Sequence, residues 1–392
     1  MDPVTNPYRP GAGRRPPLLA GREDLLSAFD VVRRRVETTG EGDRGWILNG
    51  LRGVGKTVLL NEFMTRVTST GWIVAKVEAS AAGALPVALN QALTRSMRTA
   101  TGRHPVPRLR RLLSVFKAFS LKIDPSGAVS LGVDVDPLHG VADSGNLSAD
   151  LAELFEVLGQ TARDLAIGVL ILVDELQEAS SAELAAVNVA VHELGQSGSP
   201  LPVAFVGAGL PSLPPQLADA TSYAERLYDY RPVGLLDEDG SRDALVVPAS
   251  DLAVRWEPGA LSVALETARG YPYFLQAIGK HVWDNARQDP IDADDVEVGL
   301  QAAQEEVNDG LYRSRWERAT PAQRDLMRAL ARLGGEAPTS VSDIARAMGK
   351  ARTSDIGVAR NELLKKGLVY APERGLLAFT VPGMHDFVER QP

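Results

Sequence analysis

Eight residues constrain this chain more than any others: Gly50-Leu51-Arg52-Gly53-Val54-Gly55-Lys56-Thr57. They follow the short apolar run Trp46-Ile47-Leu48. They precede a segment in which Val58, Leu59, Leu60, Phe63 and Val67 recur at helical spacing. The order predicts a buried strand, a glycine loop and a helix. Three glycines let backbone N–H groups, from Gly50 through Val58, close around an anion in conformations that side chains resist. The helix points its partially positive N-terminus at the same place. Lys56 adds a full charge, and Thr57 adds a hydroxyl able to ligate a metal. Every fixed position of G-x-x-x-x-G-K-[ST] is filled in the required context. The loop therefore implies a site for the phosphates of a nucleoside triphosphate with Mg²⁺. No Asn-Lys-x-Asp segment that reads guanine is present, which favours adenine and hence ATP.

The surrounding pattern is strand–helix–strand. Gly71 ends the helix, and Trp72 to Val77 forms the next strand, so a parallel sheet and an α/β core are expected. Ile167 to Val173 is a second apolar run that ends in Asp174-Glu175. A buried strand ending in a carboxylate is the complement such a loop requires. Asp174 is the candidate Mg²⁺ ligand, and Glu175 is the candidate that polarises the attacking water. Leu201 to Val206 leads to Gly207-Ala208-Gly209, and Tyr228 to Val233 is a fifth candidate strand. Arg226, just before it, is placed to reach the terminal phosphate on a neighbouring subunit. Arg269, before Gly270-Tyr271-Pro272, is a candidate to reach nucleotide from the following helices.

Residues 1–20 read as an extended arm rich in Pro, Gly and Arg, and residues 21–236 as the ATPase core. Within it, alternation on both sides of Asp124-Pro125-Ser126-Gly127 predicts a β-hairpin insertion near 117–137, from Phe119 to Val135. The insertion accounts for the 118 positions between Lys56 and Asp174. Residues 237–312 read as a small helical lid. Residues 313–392 read as three helices and a two-stranded hairpin around Pro372 to Gly375, a winged-helix pattern.

Without cysteine the chain has no thiol nucleophile, disulfide or Cys-ligated metal. The five histidines show no metal-ligand spacing. No apolar run is long enough to span a membrane and no apolar leader opens the chain, so a soluble cytoplasmic protein is expected. The net charge of −8 is uneven. The stretch from Trp316 onward carries 12 Lys+Arg against 9 Asp+Glu, and the remainder is acidic.

Taken together, GLRGVGKT, LILVDE, Ala224-Glu225-Arg226-Leu227, the lid and the winged-helix pattern resemble the AAA+ ATPases in type and order. The nearest branches are the origin-recognition-like initiators and the STAND signalling ATPases. The resemblance covers about residues 17–390. It implies that Arg22, in Leu19-Ala20-Gly21-Arg22-Glu23, and Pro272, in Gly270-Tyr271-Pro272, lie near the base. One departure stands out. The family usually ends its fourth core strand in Asn, Ser or Thr to hold the lytic water. Gly207-Ala208-Gly209 has no polar side chain, and the next is Ser212. Either Ser212 substitutes or hydrolysis is slow.

Three functions compete on this reading. One is an ATPase switch acting on DNA through the winged helix, with Arg352, Arg360, Lys365, Lys366 and Arg374 meeting phosphates. Another is a signalling switch whose output is protein assembly, with nucleotide-dependent self-association. The third is a scaffold that binds ATP or ADP with little turnover. An ATP-hydrolysing switch is the preferred expectation, its target open between DNA and protein.

Overall fold

The computed structural model describes residues 1–80, 85–123 and 133–391. The arm has one 3-10 turn, Pro3–Thr5, and is otherwise irregular as far as α1 (Glu23–Thr39). There follow β1 (Gly45–Asn49), α2 (Lys56–Thr68) and β2 (Ile73–Glu78). Three helices come next: α3 (Leu85–Arg103), α4 (Val106–Ile123) and α5 (Leu147–Asp164). The core closes with β3 (Val169–Asp174), α6 (Ser181–Gln196), β4 (Val203–Gly209), α7 (Leu213–Ala220), α8 (Ala224–Leu227) and β5 (Tyr228–Pro232).

The five strands are parallel, in the order β2-β3-β4-β1-β5. Strands β3 and β4 are buried along their whole length. That is why they read as unbroken apolar runs, as expected of a parallel sheet covered on both faces. One face packs on α1 and α2 through Phe29, Trp46, Leu60 and Phe63; the other packs on α3 to α6 through Leu93, Phe116, Phe155 and Phe205. Caps fix the helix starts. Asn146 accepts from Ser148 and Ala149 at the head of α5, and Ser180 with Glu183 forms a capping box on α6.

The expected β-hairpin needs correction. Phe119 to Ile123 is the last turn of α4, not a strand. Val115, Phe116 and Phe119 are buried at helical spacing while Leu121 is exposed, so the apparent alternation did not track burial. The proposed turn at Asp124 to Gly127 lies outside the described residues, and Val133 to Val135 forms no strand.

Four helices follow the core: α9 (Glu238–Ser250), α10 (Pro258–Ala268), α11 (Pro272–Asn285) and α12 (Ala293–Val307). A π-helical turn, Asn308–Arg313, leads into α13 (Ser314–Glu317). Beyond it lie α14 (Pro321–Gly334), β6 (Thr339–Ser340), α15 (Val341–Ala347), a 3-10 turn at Thr353–Ile356, α16 (Gly357–Lys365), β7 (Val369–Tyr370), β8 (Leu376–Phe379) and α17 (Met384–Glu389). The small antiparallel sheet has three strands, β6-β8-β7, where the sequence suggested two. Helices α9 to α12 and this C-terminal region share one hydrophobic core, which also takes in Tyr8 and Ala20 from the arm. Among the described residues no helix is long and apolar enough to cross a membrane.

Candidate functional site

The loop between β1 and α2 lies where β1 and β3 end, at the carboxyl edge of the sheet, the usual place for a ligand in such folds. Gly53 and Gly55 have φ of 78° and 99°, in the left-handed region. At Gly53 a Cβ would also lie 2.1 Å from the Tyr271 hydroxyl. Only glycine fits both the backbone and the space.

The Lys56 ammonium is buried and donates to the carbonyls of Gly50 at 2.8 Å and Leu51 at 2.7 Å. Burial pushes its pKa down to about 8, against the pull of Glu175 and Asp174, while Arg52 adds to the lowering. An anion in the loop would reverse this cost. Thr57 Oγ1 donates to Asp174 Oδ2 at 2.7 Å. Loop and acidic strand end thus meet although β4 lies between their strands. Two hard oxygens beside a phosphate loop fit Mg²⁺, which takes few protein ligands and completes its shell with phosphate oxygens and water. No cluster of three or more His, Cys, Asp or Glu suited to a metal occurs among the described residues.

Glu175 has φ of 48°, rare for a non-glycine residue and a strain that tends to gather at functional sites. Its Oε2 accepts from Gln177 Nε2 at 2.6 Å and lies 3.7 Å from Arg52 Nη2. Gln177 Oε1 in turn accepts from Leu210 N at 3.0 Å, and a Cβ on Gly209 would lie 2.6 Å from that oxygen. The glycine that ends β4 therefore makes room for Gln177. A polar group does reach the end of the fourth strand, but it comes from the loop after β3. The only signal for this in the sequence was Gln177 standing two residues after Glu175. Ser212 is the N-cap residue of α7 and does not line the cavity described next.

A cavity of about 430 Å³ adjoins the loop. Its walls include Arg52 to Val58, Arg22, Glu175 and Pro272, so most of the expected site residues share one space. Gly50, Leu51 and Asp174 do not line it; the first two are tied to it by their carbonyls, which accept from Lys56, and Asp174 by its hydrogen bond from Thr57. Arg22 is pinned by Nη2 to the Val54 carbonyl at 3.2 Å, and burial lowers its pKa. Arg226 is exposed and does not line this cavity. Arg269 does not line it either; it lies 3.9 Å from Glu336 and 4.0 Å from Asp386.

Two contributors were not foreseen. Residues of the arm, among them Arg9, Gly13 and Leu18, wall the cavity. The arm is tied down at both ends. The Tyr8 hydroxyl donates to Leu245 O and its ring packs on Gly279, while Arg15 lies 2.9 Å from Glu62 on α2. The other contributor is Arg315 on α13. The loop also touches the C-terminal region directly, because Arg52 N donates to Thr380 O at 3.0 Å.

Residues 18–206 match an AAA ATPase domain, and residues 309–388 match a domain of unknown function (DUF8462). No curated protein sequence matches the chain. Among solved structures, a Walker-type ATPase of Pyrococcus abyssi is 17% identical, with a TM-score of 0.57 over 97% of this chain and 98% of that one. The ORC2 protein of Aeropyrum pernix, in ADPNP–ADP complexes, is 15% identical, with a TM-score of 0.56 over 97% of this chain and 96% of that one. At such identities the likeness is one of fold. The matched AAA ATPase domain spans the loop at Gly50–Thr57 and the strand that ends at Asp174, so residues 18–206 form an AAA ATPase domain on a five-stranded parallel sheet, in a chain whose fold is similar to that of these two proteins.

Proposed function

We propose that this chain is a Mg²⁺-dependent, ATP-hydrolysing switch whose nucleotide state sets the packing of its lid and C-terminal region against the P-loop. Residues 237–312 act as the lid, and residues 313–392 act as a winged helix. Lys56 and the loop amides hold the phosphates, Thr57 and Asp174 hold Mg²⁺, Glu175 activates water, and Arg22 and Pro272 lie near the base. The observation that carries the reading is the position of Arg52. Its N–H is bonded to Thr380 at 3.0 Å, and its guanidinium lies 3.7 Å from Glu175 and 3.8 Å from Glu178. A phosphate entering the loop competes for that guanidinium, and the change reaches the C-terminal region through the same residue. Glu175 accepts from Gln177 at 2.6 Å and lies 3.7 Å from Arg52, and these contacts have to rearrange before it can orient water, which favours slow turnover.

The test is hydrogen exchange with ADP and with a non-hydrolysable ATP analogue, both with Mg²⁺. The switch requires different protection of residues 366–381 in the two states. Identical protection would refute it. Arg226, exposed near the edge strand β5, is the arginine proposed to act on a neighbouring copy. If so, activity per subunit rises with concentration and Arg226→Ala flattens the rise.

A second reading, contact with DNA, is favoured by one specific observation. From Ala79 to Ile123 the chain has eight Lys+Arg and no Asp or Glu, within a protein of net charge −8. Arg95, Arg98, Arg103, Arg108, Arg110, Arg111 and Lys122 are exposed on α3 and α4. By contrast, in the C-terminal region Lys366 donates to Arg318 O and Gln323, and Lys365 is paired with Glu362 at 2.9 Å. Duplex binding that weakens steeply with salt, and that is lost on joint Arg108→Ala, Arg110→Ala and Arg111→Ala substitution, is expected. No binding at low salt would remove the reading.

A further inference from the structure

We propose that Gln276 reads the base of the bound nucleotide and selects adenine over 6-oxopurines. The inference rests on the nucleotide-site reading above and names the residue that sets its base specificity.

Gln276 lies on α11, four residues after Pro272 and so on the same face of the helix. Both line the nucleotide cavity. Tyr271 marks the phosphate end, because its hydroxyl lies against Gly53 in the loop. Gln276 comes five residues later, about 7 Å further along the helix axis. That leaves room for a sugar between the phosphates and the base. Leu18, Leu19, Ala244 and Tyr273 give the cavity apolar walls, as a flat ring requires.

Gln276 is 9% exposed. Its Oε1 accepts from Arg9 N at 3.1 Å, while among the described residues its Nε2 has no hydrogen-bond partner. The buried Asn188 differs. Its Nδ2 donates to Leu217 O at 3.0 Å and Thr221 Oγ1 at 2.8 Å, and its oxygen accepts from the Tyr228 hydroxyl at 2.9 Å. A buried amide donor left without a partner is costly, and the space beside this one is the cavity. The orientation of the amide is also fixed. A backbone N–H can only donate, so the Gln276 oxygen must face Arg9 and its nitrogen is left for the cavity.

Adenine carries a donor, its 6-amino group, beside ring nitrogens N1 and N7 that accept. Gln276 can meet such a pair: Nε2 donates to the ring nitrogen, and the second lone pair of Oε1 accepts from the amino group. A 6-oxopurine sets a carbonyl oxygen against Oε1 instead. A free glutamine would turn its amide over to suit. Here that turn would aim Nε2 at the Arg9 N–H, two donors facing each other. The arm thus holds the amide in the one orientation that fits adenine, and the base is recognised through a contact between the arm and α11.

The experiment measures Kd for ATP, GTP and ITP, each with Mg²⁺, in wild type, Gln276→Met, Gln276→Glu and Lys56→Ala. Gln276→Met keeps the length without the polar atoms. Gln276→Glu keeps an oxygen for Arg9 N, and so the arm contact, but offers the base no donor. Its charge weakens every nucleotide alike, so the ratio between nucleotides is the readout. Wild type should prefer ATP to GTP and ITP by about tenfold or more, the scale of one bidentate base contact. Gln276→Met should reduce that ratio to about threefold or less. Gln276→Glu should shift it towards GTP, whose N1–H and 2-amino group donate to a carboxylate. No preference in wild type, or the wild-type preference kept in both folded Gln276 variants, would overturn the assignment; loss of binding in Lys56→Ala would then leave the nucleotide site standing without it. Binding untouched by Lys56→Ala would refute the site and this assignment together.

Discussion

Thr57 and Asp174 are joined by a 2.7 Å hydrogen bond between a hydroxyl on the first turn of α2 and a carboxylate at the end of β3. This bond holds two oxygens together at the phosphate loop. Both oxygens would be available to hold Mg²⁺. Thr57→Ala and Asp174→Asn should therefore abolish the stimulation of phosphate release by Mg²⁺, while ADP binding with a chelator present changes little. Metal-stimulated release at the wild-type rate in either variant would contradict the assignment.

Glu175 is tied to Gln177 at 2.6 Å and lies 3.7 Å from Arg52. Glu175→Gln should slow phosphate release by about 10²–10⁴-fold, the range for loss of a general base, with nucleotide affinity retained. Gln177→Ala should change the rate without changing affinity, because it frees Glu175 and empties the end of β4. Unaltered rates in both variants would show that the water is activated elsewhere.

The buried ammonium of Lys56 gives a pH signature. In the free protein it is charged below about 8. Bound phosphate favours the charged form, so above that pH binding must take up a proton. Affinity should be constant below about 8 and fall by up to about tenfold per pH unit above it, until the raised pKa of the complex is passed. Folding has the opposite sign. Burial of the charged form is unfavourable, so this residue's contribution to stability improves as pH rises from about 8 towards its ordinary value of 10.5. Calorimetric titration in buffers of different ionisation enthalpy reads the proton directly, and no proton uptake at alkaline pH would exclude the shift.

The arm is a wall of the site. Tyr8 is buried, accepts from Trp256 Nε1 at 3.3 Å and meets Trp283 edge-on with ring centroids 6.4 Å apart. Tyr8→Ala should cost about 3–5 kcal/mol, as other buried aromatic truncations do, and should speed nucleotide dissociation by loosening Arg9 to Ala20 over the cavity. Stability lost with an unchanged off-rate would leave the arm a purely structural strap.

The parts of the site that were legible in the sequence are those carried by local pattern. Gly50 to Thr57 sits between an apolar run and a helix, and Asp174 ends another apolar run, so spacing alone located them. Arg22 and Pro272 followed from the resemblance, and both reach the cavity. Gln177, Arg315 and the arm were not legible because their roles depend on contacts between elements far apart in the chain. Nothing local to Arg315 distinguishes it from the paired Arg313 two residues earlier. The stretch from Phe119 to Ile123 misled for the opposite reason, since a short apolar stretch satisfies both the strand and the helix period until burial decides.

The most direct test is nucleotide binding by wild type and Lys56→Ala, each with and without Mg²⁺. With two loop carbonyls as its only hydrogen-bond partners among the described residues, the Lys56 ammonium is free to turn to phosphate. Wild type should bind ATP and ADP, with Mg²⁺ strengthening ATP. Lys56→Ala, still folded, should bind ATP at least about 100-fold more weakly, about 2.7 kcal/mol. A folded Lys56→Ala protein with wild-type affinity for ATP would contradict the account.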